Sequence, residues 1–537
     1  MFNVTTYDFA KKDFNNWKLK YDYHAVYILE NGKDAYIGEA SDIIKRAKRH
    51  SRRWRERKYN FNNMHVITGE YAEATPAHHY ERLLIDLMKI DNKFNILNKK
   101  RGYNFLIYKR KNRFELYFDE LWFKLEEKGL VNIKDFKSFI NSEMYKYSPY
   151  NKLNREQIKA LTSVCHVLDS GETLPYNKKY KERPILINGD AGTGKTLVAI
   201  TLFNYLKNNA RYQNMSIAFV VPNSPTRDMV EYIFSKTDGL SKKDVVSPIE
   251  LTKNKYDIII CDEAHKLRWK RNLRLYAKHF KQANERLELD NNHDELDWLL
   301  MQSKYQILFY DKKQITSPTE ISGEEFEKRL NERYRGIRPV RLKKQMRVQA
   351  GNCYVKYIRD ILYQKTAKKK DINNYILKII PNFFDMQKII NEKEEQFGLS
   401  RVASGYSFKW NNDEAENAYD IFIDGVKTKW NSRTKGWLRE KKYKDEVGSI
   451  YTLSGLDLNY IGVVIGPELY FDKKDNKIKV NRDKFFDNTV KRNTSDEELL
   501  KFILNTYSVL LTRAIHGTYI YVYDQALREY LGKFIDL

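Results

Sequence analysis

Residues 184–202, PILINGDAGTGKTLVAITL, place Gly189, Gly192, Gly194, Lys195 and Thr196 in the spacing G-x-x-x-x-G-K-[ST], after an apolar run and before a helix-forming one. The glycines let backbone N–H groups and a helix N-terminus approach phosphates, Lys195 neutralises β and γ oxygens, and the Thr196 hydroxyl ligates Mg²⁺. Further on, YDIIICDEAHKLR (256–268) is an apolar strand that ends in two carboxylates. At that position Asp262 can hold the metal through water, and Glu263 can polarise the attacking water. Together the two stretches predict nucleoside triphosphate hydrolysis with Mg²⁺.

A second set lies near the N-terminus. VYILENGKDAYIGEA (26–40) carries Tyr27 and Tyr36 on two short strands joined by a Gly-containing turn, which plain sheet packing would also explain. Arg46 and His50, four apart, share one helix face, and Glu81 opens the helical stretch ERLLIDLM. A phenol or imidazole to take a proton from water, a guanidinium for pentavalent charge and a carboxylate for one Mg²⁺ compose phosphodiester hydrolysis. Glu81 alone reads equally well as an N-terminal helix carboxylate serving the dipole.

The elements that must position these groups follow from the hydrophobic pattern. In 537 residues, residues 22–110 read as hairpin, basic helix, strand, helix and an NKFNILN exit, within a first domain at 1–110. Residues 111–150 read as a helical connector. From 151 onward, the apolar runs PILIN, IAFVVP, DIIICD, QILFYD, YIGVVIG and GTYIYVYD alternate with helical segments, predicting parallel βαβ sheets in two lobes, 151–335 and 336–537.

The net charge of +25 points to a polyanion, since neutralising phosphates releases counterions. Residues 45–58 carry nine Lys or Arg against one Glu, whereas 285–297 is acidic, so one basic face is expected. Trp54 inside the basic run reads as a base-stacking aromatic, with a solvated helix face as the plainer alternative. A second basic cluster spans 266–281. The cysteines Cys165, Cys261 and Cys353 lack zinc or disulfide spacing, and no apolar run reaches membrane length; a cytoplasmic protein is expected.

The order of the later motifs carries a resemblance. LNREQ with Gln157, DKKQ with Asp311 and Gln314, LKKQMR with Arg347, IYTLSGLDLNYIGVVIGPEL, and NTYSVLLTRAIHG with Arg513 follow the phosphate loop as in superfamily 1 helicases. The set resembles most the bacterial Schlafen-like DNA/RNA helicase family. This implies two RecA-like lobes with ATP in the cleft, Gln157 on the adenine edge, Gln314 at the γ-phosphate, and Arg347 and Arg513 as arginine fingers. Ser454 stands where the family more often has Gln.

Residues 24–98 resemble the GIY-YIG nuclease family. AVY stands for the first signature and YIG for the second, with Arg46, His50, Glu81 and Asn95 at matching spacings; Ala25 replaces the family's Gly. The resemblance implies a small α+β nuclease domain in which Tyr27 is the base and Tyr36 orients water or phosphate. Arg46 would stabilise charge, His50 assist Tyr27 or hold phosphate, Glu81 bind Mg²⁺, and Asn95 support the framework. The expected protein is an ATP-dependent motor with an endonuclease, acting on DNA with RNA open, in antiphage defence. Repair or recombination processing is the nearer alternative. An ATP-regulated nucleic-acid binder with a silent first domain is the more distant one.

Overall fold

The computed structural model describes residues 2–17, 24–69, 74–98, 118–133, 136–151, 153–170, 184–273, 276–334, 337, 339–365, 368–410, 419–433 and 435–537. The stretch across the expected 110/111 boundary, and positions 274–275 of the second basic cluster, lie outside them. The chain divides into two units, Met1–Asn151 and Lys152–Leu537.

The first unit is built on a sheet of β1 (Asn3–Asp8), β2 (Ala25–Glu30), β3 (Asp34–Ala40), β4 (Asn63–Thr68) and β5 (Asn95–Ile96), in the order β1-β4-β2-β3-β5. Neighbours pair antiparallel except β5, which runs parallel to β3. At the β2–β3 turn the Asn31 side-chain oxygen accepts from the Lys33 and Asp34 amides, and Gly32 takes φ 82°. This turn sets a register pairing Tyr27 with Gly38 and Leu29 with Tyr36. Cross-strand partners share a face, and residues two apart along a strand do too, so both tyrosines point the same way.

Helix α1 (Ile43–Glu56) is capped by Asp42, which accepts from the Lys45 amide, and buries Ile43, Ala47, His50 and Trp54. The opposite face is basic and exposed: Lys45, Lys48, Arg49, Arg52, Arg53 and Arg55. Helix α2 (Ala74–Asp91) follows β4. The expected helical connector is largely helical where it is described. Its described helices, Phe118–Glu127, Phe136–Asn141 and Glu143–Tyr147, belong to the first unit. The Asp91 carboxylate accepts from the Asn132 and Ile133 amides, and Glu120 from the Phe2 amide. Among the aromatic residues there, Trp122 is fully buried.

The second unit contains two all-parallel sheets. The first joins β6 (Ile185–Gly189), β7 (Ile217–Val220), β8 (Val245–Val246), β9 (Tyr256–Cys261), β10 (Ser303–Tyr310) and β11 (Val340–Leu342) in the order β11-β6-β10-β9-β7-β8. The second orders β12 (Ile376–Ile379), β13 (Ser400–Ser404), β16 (Val447–Ser449), β17 (Leu458–Ile465) and β20 (Ala514–Val522) as β12-β20-β17-β13-β16. Two hairpins, β14 (Ile421–Ile423) with β15 (Val426–Thr428) and β18 (Leu469–Asp472) with β19 (Lys477–Val480), lie outside them. This mixed α/β architecture with parallel sheets is consistent with RecA-like helicase lobes. The expected lobe boundary at 335/336 lies outside the described residues; β11, just beyond it, pairs parallel with β6 and so belongs to the first sheet. Its apolar run, PVRL, is too short to declare which sheet it joins.

Candidate functional site

In the second unit, β6, β10 and β9 are neighbours, so their carboxyl ends deliver the phosphate loop, Asp311 and Asp262 side by side. Gly192 and Gly194 take φ 78° and 80°, conformations that glycine adopts freely, and Gly194 caps helix Lys195–Lys207. The Lys195 ammonium donates to the carbonyls of Gly189 (2.8 Å) and Asp190 (3.3 Å) and lies 3.7 Å from Asp311. Gln314 donates to Asp311 at 2.7 Å, and Asn505 of the second lobe donates to the neighbouring Ile315 carbonyl.

Asp262 is fully buried, and neither of its carboxylate oxygens completes a hydrogen bond. Burial, then the charge of Glu263, pushes its pKa well above the ordinary carboxylate range, while the adjacent Thr196 hydroxyl and Lys195 pull it back. Burial raises Glu263 too, but His265, Lys195 and Arg513 outweigh this and hold it well below the carboxylate range. A buried carboxylate with unsatisfied oxygens beside a threonine hydroxyl suits a hydrated cation, so Thr196 and Asp262 fit Mg²⁺. Glu263 adopts φ 54° and contacts His265 at 3.0 Å.

Gln157 is buried; its amide donates to the Thr193 carbonyl at 3.0 Å, and its oxygen accepts from the Asn154 amide. It therefore braces the phosphate loop directly. The segment after β11 folds over the same loop. Met346 and Arg347 amides donate to the Gly192 carbonyl, and Gln345 donates to that of Ala191. Arg347 pairs with Asp457 of the second lobe. Arg513, also buried, donates to the Leu456 carbonyl at 3.3 Å. The lobes also meet where the Thr226 hydroxyl donates to the Ser454 carbonyl at 2.9 Å, and where Arg439 pairs with Asp228. Ser454 thus contributes its backbone, which explains how a serine serves at that position.

In the first unit, the Tyr27 hydroxyl and His50 Nε2 are 2.7 Å apart. The Tyr36 ring lies 6.4 Å from that of Tyr27 and 5.2 Å from that of His50. Arg46 donates to the Glu39 carbonyl at 3.2 Å. Burial pushes the Tyr27 phenol far up, with Tyr36 and Glu81 adding to this and Arg46 opposing. Burial and Glu81 likewise raise Tyr36. Burial, then Glu39, raises Glu81, whereas His78 and Arg46 lower it. Tyr27, Tyr36, Arg46 and Glu81 therefore feel one another's charge, and His50 lies against both tyrosines and feels Arg46. His78 Nδ1 lies between the two carboxylates, 3.7 Å from Glu39 and 3.8 Å from Glu81. Among the described residues no group of three or more His, Cys, Asp or Glu side chains is arranged to hold a metal, so on this geometry Glu81 offers a single carboxylate ligand.

Residues 182–524 match the family described as Schlafen group 3, DNA/RNA helicase domain. This chain belongs to that family. An uncharacterized protein of Saccharomyces cerevisiae is 30% identical over 426 residues, spanning 71% of this chain and 90% of the relative. Among solved structures, Pif1 helicase from Candida albicans shows 10% identity over 69% of this chain and 95% of its own, with a TM-score of 0.29. Pif1 helicase from Bacteroides in complex with ADP-AlF3 and ssDNA shows 13% identity over 69% and 92%, with a TM-score of 0.28. Scores this low do not establish a shared overall fold. The family match by itself makes the second unit a helicase-type ATPase domain.

Asn95 is exposed and donates to Asp34 at 2.7 Å, at the turn end of β3. The amide that braces the YIG strand is Asn98, which both accepts from the Ile37 amide (3.0 Å) and donates to its carbonyl (2.7 Å). Its only sequence signal is its place three residues beyond Asn95. Trp54 is 3% exposed, packed against Tyr36, Tyr59 and Phe61, so it is no stacking platform. Gly38 was legible only as part of YIG; a Cβ there would stand 2.3 Å from the Tyr27 oxygen. Among the described residues no helix is long and apolar enough to cross a membrane.

Proposed function

We propose that this helicase-family protein is an ATP-driven nucleic-acid motor whose first unit hydrolyses phosphodiester bonds, acting on DNA, with RNA as the alternative substrate. The observation that carries the nuclease reading is the 2.7 Å Tyr27–His50 contact within reach of Arg46, Tyr36 and Glu81. Tyr27, as the phenolate left once its own proton has gone to solvent, takes a proton from the attacking water, Tyr36 orients that water, and Arg46 offsets the charge developing on phosphorus. Glu81 would hold Mg²⁺, which supplies further neutralisation of the phosphate. The exposed basic face of α1, beginning beside Arg46, tracks the phosphate backbone.

In the second unit, Lys195, Thr196 and Asp262 hold ATP and Mg²⁺, with Gln157 at the base and Gln314 at the γ-phosphate. Glu263 orients water, Arg347 reaches the nucleotide from the segment after β11, and Arg513 reaches it from the second lobe. Coupling cleavage to translocation suits cytoplasmic defence against foreign DNA, and equally the processing of branched DNA. The test is incubation with linear, circular, forked and single-stranded DNA and RNA, with Mg²⁺, with and without ATP. Cleavage abolished by Glu81→Ala and Tyr27→Phe supports the nuclease; cleavage unchanged in both refutes it.

A second reading rests on the near-complete burial of Tyr27 and His50, each 1% exposed. On that reading the first unit is a binding module regulated by ATP. It predicts nucleic-acid-stimulated ATPase, lost in Lys195→Ala, without cleavage of any substrate.

A further inference from the structure

His50 uses both ring nitrogens. The Trp54 indole nitrogen lies 2.9 Å from Nδ1, and Nε2 lies 2.7 Å from the Tyr27 oxygen. An indole N–H can only donate, so Nδ1 must present its lone pair. A neutral imidazole carries one proton, which then resides on Nε2. We infer that Trp54 is a positioning residue: its indole N–H locks His50 as the Nε2–H tautomer, so that His50 donates a hydrogen bond to the Tyr27 oxygen and cannot accept Tyr27's proton.

The surroundings agree. The groups facing His50 are Tyr27 on β2, Tyr36 on β3, and Arg46, Arg53 and Trp54 on α1. Burial, then the charges of Arg46 and Arg53, holds the imidazole pKa down to about 4, so the ring is neutral at physiological pH. Trp54 is itself held in place, with Tyr59 and Phe61 edge-on at 5.6 Å and 5.4 Å and the Arg53 and Arg57 guanidinium groups each 5.6 Å from its ring. With Nδ1 accepting from Trp54 and Nε2 donating to Tyr27, His50 has no lone pair left to serve as general base and no free N–H for a phosphate.

What remains for His50, on the nuclease reading, is to stabilise negative charge on the Tyr27 oxygen. An N–H donor beside a buried phenol favours its ionised form, in concert with Arg46. Tyr27 is then the single group of the pair able to exchange a proton with water.

The test is a long-range ¹H–¹⁵N correlation spectrum of the full chain labelled with ¹⁵N-histidine, the His50 signals being assigned by their loss in His50→Gln. The expected result at neutral pH is a pure Nε2–H tautomer, and in Trp54→Phe a mixture of tautomers with the protonation midpoint moved upward. A wild-type His50 that is imidazolium or Nδ1–H overturns the inference, as does an unmixed Nε2–H signal in Trp54→Phe. Should Trp54→Phe fail to fold, the wild-type spectrum still decides. Where the wild type cleaves, Trp54→Phe is expected to lower kcat about tenfold with little change in KM, the size of one hydrogen bond to a charged group. The tautomer is read without any cleavage, so a chain that cuts nothing removes the nuclease reading and leaves the lock to be judged on the spectrum.

Discussion

Gly455→Ala tests whether the two parallel-sheet lobes are coupled where they touch. Gly455 takes φ 77°, and a Cβ there would stand 1.9 Å from the Thr226 hydroxyl oxygen, 2.9 Å from its Cβ and 3.0 Å from its Cγ2. The left-handed conformation costs an alanine about 1 kcal/mol. Relieving the contact requires the segment to retreat by roughly an ångström, which breaks the Thr226–Ser454 hydrogen bond, a further loss of about 1 kcal/mol. Together with lost packing across the cleft, about 2–3 kcal/mol is withdrawn from the arrangement in which the lobes meet. If hydrolysis proceeds from that arrangement, nucleic-acid-stimulated ATP turnover falls by about thirtyfold or more. Steady-state ATPase with saturating single-stranded DNA measures it. Thr226→Ala removes the closest clashing atom, so the double variant should recover part of the loss, whereas independent sites would add. Wild-type turnover in Gly455→Ala, or strict additivity in the double variant, refutes the reasoning.

Lys195→Ala should lower ATPase by at least ~100-fold through loss of phosphate neutralisation, measured by phosphate release, while leaving any ATP-independent cleavage intact. Gly38→Ala puts a Cβ 2.3 Å from the Tyr27 oxygen and 2.5 Å from its Cζ, displacing the ring from His50. A shift of about 1 Å at a reacting group costs ~100-fold, so plasmid cleavage should fall by that factor while ATPase is unchanged. Glu30, hydrogen-bonded to His65, Asn63 and the Gly32 amide, has its pKa held down to about 2, below the ordinary value of 4.5. A depressed carboxyl stabilises the fold above its unfolded pKa and loses that stabilisation as pH falls through the folded one. Glu30→Gln should therefore destabilise the first unit by on the order of 1–2 kcal/mol at pH 7, with the difference from wild type shrinking between about pH 4.5 and pH 2. Denaturant unfolding across that range checks it.

Both sets of chemical residues were legible because their information is local. A phosphate loop needs its glycines, lysine and threonine at fixed separations along one strand–turn–helix, and Gly192 and Gly194 take up the backbone angles such a turn demands. Arg46 and His50 fall on one side of α1 because a helix repeats every 3.6 residues. Tyr27 and Tyr36 share a face because the Asn31–Gly32 turn sets the register that pairs Leu29 with Tyr36; a shift of one residue would put them on opposite faces. Affiliations across the chain were not legible. PVRL reads equally as the last strand of one sheet or the first of the next, and its parallel pairing with β6 decided the matter. Nothing local in the aromatic helices after residue 117 says which unit they join; the Asp91 carboxylate, accepting from the Asn132 and Ile133 amides, ties the segment to the first.

The basic helix shows the same division within a single element. Composition by itself determined that 45–58 carries a strong positive face, and solvent does receive Lys45, Lys48, Arg49 and Arg52. The role of Trp54 in that run depended on what lies beneath it. An indole is as suited to stacking on a base as to filling a core, and only the packing of α1 on β2 and β3 turned it inward, with its N–H on His50. Likewise motif order marks Arg513 in the sequence without saying which carboxylate it faces. Its influence on Glu263 arises because the second sheet presents the start of β20 to the carboxylate ends of the first. Sequence spacing determines which groups can act together within one turn of chain. Which distant groups share a low-dielectric interior, and so feel each other's charge and tautomer, was decided by tertiary packing.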